Sequence, residues 1–94
     1  MKPLPRFKDY LKEKLKDPEF KKAFDREEVF AEIAIQIAKL RQANGLSQKD
    51  LAKRLHTTQQ TVSRLESASN HSLSLNTLLK LADVLHRRIK IEFV

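Results

Sequence analysis

The stretch Leu46–Glu66, LSQKDLAKRLHTTQQTVSRLE, decides the fold. Ser47 with Asp50 three residues later is a capping-box pattern, so a helix is predicted over 48–55. Thr58 is a hydroxyl cap for a second helix over roughly 59–67. Little chain is left between them, so the two helices meet at a tight turn. The second helix opens on Gln59, Gln60, Thr61, Ser63 and Arg64, while Val62 and Leu65 fall between them and face inward. An α-helix fits the major groove of B-DNA, where Gln can bond adenine N6 and N7 together and Arg can bond guanine O6 and N7. Side chains near the start of an inserted helix reach the base edges. Thr58, Gln59, Gln60, Thr61, Ser63 and Arg64 are therefore the candidate DNA-binding residues. Gln48, heading the first helix, joins them as a candidate phosphate contact beside the backbone N–H groups there.

The bulk composition agrees with a small nucleic-acid binder. Ninety-four residues make one domain, and 40% hydrophobic content is globular. One Gly and three Pro are too few for a turn-rich β fold. With no cysteine there is neither a disulfide nor a thiolate metal site, which fits a reducing, cytoplasmic location. The apolar runs are too short to span a membrane, and the charged N-terminus lacks a signal-peptide core. His56, His71 and His86 have no carboxylate at ligand spacing, and no Gly-rich phosphate loop or placed triad is present. No catalytic residue, metal or cofactor is expected. The net charge of +7 favours a polyanion. Duplex DNA suits the 59–67 helix better than RNA, because that helix offers no aromatic side chain to stack on bases. The basic, amphipathic Phe7–Lys16 also suits an anionic membrane surface, a weaker reading.

Working outward, Val29, Phe30, Ile33, Ala34, Ile37, Ala38 and Leu40 form a wide apolar stripe, predicting a helix over 26–43 that ends at Asn44-Gly45. Before it, Pro3 and Pro5 mark an irregular start. Phe7, Tyr10, Leu11 and Leu15 share a helical face. Asp17-Pro18 starts a helix with Phe20, Ala23 and Phe24 on its apolar side. Asp25 with Glu28 either caps a further helix or lies inside one longer helix. Beyond a Ser- and Asn-rich loop at 67–74, Leu75, Leu78, Leu79, Ala82 and Leu85 predict another amphipathic helix. The end of the chain changes period: Arg88 to Phe93 alternates polar and apolar, a strand signature. One strand cannot satisfy its own backbone groups. Pairing with a second copy across a two-fold axis, through Ile89, Ile91 and Phe93, is the economical solution, and a frayed tail is the plain alternative.

The 46–66 segment resembles the bacterial and phage repressor-type helix-turn-helix family, often called XRE or Cro/CI-like, over roughly residues 28–86. The resemblance implies that Gln59, Gln60 and Arg64 touch bases, that Gln48 holds a phosphate, and that Ala52, Val62 and Leu65 are core. This sequence departs from the family at two places. His56 stands where a turn Gly is usual, and Ser67-Ala68-Ser69-Asn70 follows the second helix where another Gly is common.

The layout of helical lead, domain and short terminal strand also resembles the HigA-type antitoxins of type II toxin–antitoxin modules. That implies a homodimer repressing its own operon at a palindromic operator and neutralising a small RNase toxin of the RelE/HigB type, encoded by an adjacent gene. A stand-alone phage-type repressor is the closest rival. The expected fold class is all-α: a five-helix-type repressor domain with a helical extension and a C-terminal strand for dimer pairing. The expected divisions are 1–26 as the extension, 27–87 as the DNA-binding domain and 88–94 as the dimerisation strand. Phe7, Tyr10, Leu11, Phe20 and Phe24 either pack on the domain or face a toxin. Such toxins are often basic, and Asp9, Glu13, Asp17, Glu19, Asp25, Glu27 and Glu28 are the acidic groups nearest those side chains in sequence.

Overall fold

The computed structural model describes residues 6–70 and 73–94, so Pro3, Pro5 and His71 lie outside the described residues. Five helices follow in order: α1 (Arg6–Lys14), α2 (Pro18–Ala43), α3 (Gln48–Arg54), α4 (Gln59–Leu65) and α5 (Leu75–Val84). Five is the number expected for the domain alone, yet it counts the lead as well. The lead's second helix and the domain's first are one continuous rod, α2.

Asp17 caps that rod, its carboxylate accepting from the Glu19 N–H at 3.0 Å with Pro18 in the first turn. Asp25 is no cap: it lies within α2, one turn from Lys21, whose Nζ it meets at 3.0 Å. Ser47 and Asp50 form the full reciprocal capping box at the start of α3. The Ser47 backbone N–H and side chain hold the Asp50 carboxyl below its ordinary value. A depressed carboxyl stabilises the fold above its unfolded value, and that contribution disappears as pH falls through the lowered one.

α2, α3 and α5 end alike. Beyond each, one residue takes positive φ, and its N–H and the next bond back to carbonyls of the last turn in a Schellman pattern. Gly45 (φ 69) does this after α2, with Gly45 N–H to Gln42 O at 2.9 Å and Leu46 N–H to Arg41 O at 3.1 Å. His56 (φ 56) does it after α3 and His86 (φ 57) after α5. His56 thus takes the backbone conformation of the glycine it replaces. The same role for His86 is not visible in its composition.

The core lies between the C-terminal half of α2 and the three short helices. Ile37, Leu46, Leu51, Ala52, Val62, Leu65, Leu81 and Leu85 form its buried cluster, with Ile33, Leu40 and Leu78 packed against it. The stripe on α2 is narrower than its sequence indicates, because Val29 is exposed. The apolar face of α5 is rotated from the expected stripe. Leu85 is buried as expected and Leu81, outside the stripe, is buried with it, whereas Leu75 and Leu79 stay half-exposed. Both sets satisfy helical spacing, so the neighbours in space make the choice.

No residue of α1 or of the first half of α2 joins the core. Phe7 and Tyr10 are exposed, with Lys14 lying over the Tyr10 ring. Leu11, Phe20 and Phe24 are half-buried, the two phenylalanine rings stacked on each other at 6.3 Å. The lead therefore projects. The radius of gyration is 16.6 Å, against about 12 Å for a compact chain of this length.

The expected C-terminal strand is not seen. Residues 87–94 form no strand, and among the described residues no other segment offers a β edge to bond. A strand exists by its ladder, and alternation alone cannot supply one. Ile89 is half-buried, while Ile91 and Phe93 are exposed.

Positive φ disfavours a side chain bearing Cβ. His56→Gly is expected to raise the unfolding free energy by roughly 0.5–1 kcal/mol. Urea denaturation checks this, and a variant less stable than the parent would contradict it.

Candidate nucleic-acid interface

Thr58 opens α4. Its hydroxyl accepts from the Thr61 N–H at 3.1 Å and lies 3.0 Å from the Thr61 hydroxyl. These two candidate DNA-binding residues are thus engaged in building the helix. Val62 and Leu65 are buried, fixing the inward face of α4. Gln59, Gln60, Ser63 and Arg64 are all exposed. Positions i, i+1, i+4 and i+5 share one side of a helix, opposite the buried pair. Among the described residues, none of these four side chains has a hydrogen-bond partner. They form a polar face with its donors and acceptors unspent, running nearly the full length of α4.

Arg41 and Glu66 hold that face in place. The Arg41 Nε donates to Glu66 Oε2 at 2.6 Å, and a terminal nitrogen donates to Oε1 at 3.0 Å. The other terminal nitrogen donates to the Leu46 carbonyl at 2.8 Å. Both side chains are largely buried, at 12% and 7% exposure. The hydrogen bond to Glu66 keeps the guanidinium above even its usual high pKa. One planar fork therefore joins the end of α2, the turn into α3 and the cap of α4.

Gln48 belongs to the same network. Its Nε2 lies 3.2 Å from Glu66 Oε1, a hydrogen bond within the chain. An amide nitrogen carries two hydrogens. One is committed to Glu66, leaving the second for another acceptor. Of the seven candidate DNA-binding residues, then, Gln59, Gln60, Ser63 and Arg64 form a free outward face. Thr58 and Thr61 cap that face's helix, and Gln48 bridges towards it from α3.

Arg41 and Glu66 did not stand out in the sequence. They are 25 residues apart, and neither is distinguished by local pattern. The only available signal was a lone acidic residue, Glu66, immediately after an apolar-anchored helix that otherwise carries no acid.

Residues 37–90, more than half of the chain, match a family model described as helix-turn-helix, of the XRE type. The chain belongs to the helix-turn-helix family. Membership makes it a DNA-binding transcription regulator. No curated protein and no solved structure gives a significant match. The matched region begins inside α2 and includes every candidate DNA-binding residue, while the lead lies outside it. Among the described residues no helix is long and apolar enough to cross a membrane. No group of three or more His, Asp or Glu side chains among them is placed to hold a metal ion.

Removing one partner of a buried ion pair strands the other charge. Glu66→Ala is expected to destabilise the domain by roughly 3 kcal/mol. The double change Arg41→Met with Glu66→Leu is expected to recover most of that loss, since it strands no charge and releases only the neutral Leu46 carbonyl and Gln48 amide. Thermal unfolding of the three variants reads the difference, and a double variant no better than Glu66→Ala would refute this account.

Proposed function

We propose that this chain is an antitoxin and autorepressor of the HigA type. As a dimer it occupies a palindromic operator and neutralises a small RNase toxin of the RelE/HigB type. The observation that carries the reading is the lead. About a quarter of the chain contributes nothing to the core, yet it presents Phe7 and Tyr10 exposed and Leu11, Phe20 and Phe24 only half-buried. Such a segment adds no side chain to the buried core, and exposed aromatic groups on one arm suit a protein partner. Asp25, Glu27, Glu28 and Glu32 offset Arg26 to give residues 25–32 a net charge of −3, in a chain of net +7. A basic toxin would be drawn to that stretch.

On DNA, Gln59, Gln60, Ser63 and Arg64 read base edges, with Thr58 and Thr61 shaping the helix that carries them. Gln48 holds a backbone phosphate while tied to Glu66. Two copies joined through 88–94, with Ile89, Ile91 and Phe93 at the seam, set their α4 helices about one DNA turn, roughly 34 Å, apart. The divisions at 26 and 87 set the aromatic lead, the DNA-contacting part and the dimer segment apart, with the acidic stretch straddling the first. A stand-alone repressor shares all the DNA chemistry and lacks only the partner.

Replacing Gln59 or Gln60 by Ala is expected to lose about 1–3 kcal/mol at one base step and relax specificity there. Quantitative binding to a set of singly substituted operators checks this. Equal losses on every sequence would mean that the residue is not reading bases.

The antitoxin role is tested by co-expression with the product of the adjacent reading frame. Co-purification is expected, with Phe20→Glu/Phe24→Glu abolishing it while operator binding persists. Normal growth of cells expressing the neighbouring product alone would leave the stand-alone repressor as the reading.

A further inference from the structure

The terminal segment lies beside an unfilled apolar groove. α2 and α5 supply its floor, chiefly Ile33, Leu40, Leu78 and Leu81, and the tail supplies a rim with Ile89 and Ile91. Its volume is about 250 Å³. Ile89 is half-buried at that rim, but Ile91 is 61% exposed and Phe93 fully so. The Arg87 N–H bonds to the Ala82 carbonyl at 2.8 Å. From Arg88 onward, no backbone group makes a hydrogen bond among the described residues. An apolar face above an open groove, next to an unpaired strand-patterned backbone, needs a strand as its complement. A second copy supplies one without any new surface.

Charge then selects the register. In a two-fold antiparallel pair, facing residues have a constant sum of positions, and side chains that face each other point to the same side of the ribbon. Only residues of like character can therefore face each other. If Lys90 lay on the axis it would face its own copy, and Glu92 on the axis would do likewise; like charges directly opposite are destabilising. With Ile91 on the axis, Ile91 faces Ile91 and Ile89 faces Phe93, a β-branched and aromatic pair. Each Lys90 then faces a Glu92. Within one chain the Lys90 Nζ already lies 2.7 Å from a Glu92 carboxylate oxygen, so both are on one side of the tail. Pairing turns that contact into a closed square of two cations and two anions.

We propose that two copies of this chain pair antiparallel over residues 89–93 with Ile91 on the two-fold axis, so that Phe93 of each copy lies beside Ile89 of the other and closes its α2–α5 groove. This rests on the dimer reading given above and adds the register and the occupant of the groove. It makes the two cores continuous through the ribbon.

The native chain contains no cysteine, so single substitutions report the register without interference. Facing Cα atoms in an antiparallel pair are about 4.5 or 5.5 Å apart, within the range a disulfide spans. On mild oxidation Ile91→Cys is expected to crosslink to itself, doubling its mass on a non-reducing gel and reverting with thiol. Lys90→Cys and Glu92→Cys are expected to stay single alone and to crosslink when mixed. Self-crosslinking of Lys90→Cys or Glu92→Cys in place of Ile91→Cys overturns the register. Absence of any crosslink overturns the pairing, whether or not the native chain sediments as a dimer. Specific operator binding by these variants is measured separately. Its survival without crosslinks sinks the pairing and leaves the DNA reading standing.

Discussion

The Arg41–Glu66 ion pair is the interaction on which the rest of the interface depends. A helix of two turns such as α4 cannot hold its own orientation. Isolated helices of that length are marginal in water, so tertiary contacts must supply the stability. Val62 and Leu65 provide burial but little azimuthal control, because apolar contact is non-directional. The guanidinium fork is directional. It joins α2 to the cap of α4 and, through the Leu46 carbonyl, to the turn that starts α3. The exposed face of Gln59, Gln60, Ser63 and Arg64 inherits its direction from that fork. Glu66 also takes the Gln48 amide, so one carboxylate ties the start of α3 to the cap of α4.

Much of this was legible in the sequence, because local rules and tertiary demands coincide from 44 to 66. Ser47, Asp50 and Thr58 cap where their side-chain chemistry indicates, and Gly45 turns where only glycine is unstrained. His56 is the informative exception: it occupies the left-handed position despite its Cβ, so Schellman geometry is imposed by the carbonyls it satisfies. His86 follows the same physics with no surrounding motif to announce it. The sequence leaves a choice open where two faces of one helix are both apolar. α5 offers Leu75, Leu79 and Ala82 as readily as Leu78, Leu81 and Leu85, and only the position of α2 decides between them. Arg41 and Glu66 were invisible for another reason: long-range ion pairs leave no periodic trace.

The tail marks a different boundary. Alternation over 88–93 is a statement about a surface, and a strand requires a second backbone as well. A single chain with this sequence can only present the pattern. The same holds for the lead, whose aromatic groups satisfy helical spacing in α1 and α2 yet find no core to enter. At both ends the sequence encodes side chains for contacts that one copy does not complete, whereas the central helices complete theirs internally.

The continuity of α2 makes the chain a ruler. An α-helix rises about 1.5 Å per residue, so the stacked rings at Phe20 and Phe24 stand roughly 20–25 Å from Ile37 in the core. No glycine or proline interrupts the rod between them. A body seated on those rings would be carried at a set distance and bearing from α4. Its effect on DNA occupancy would then be a matter of clearance: it would fit beside the duplex or collide with it.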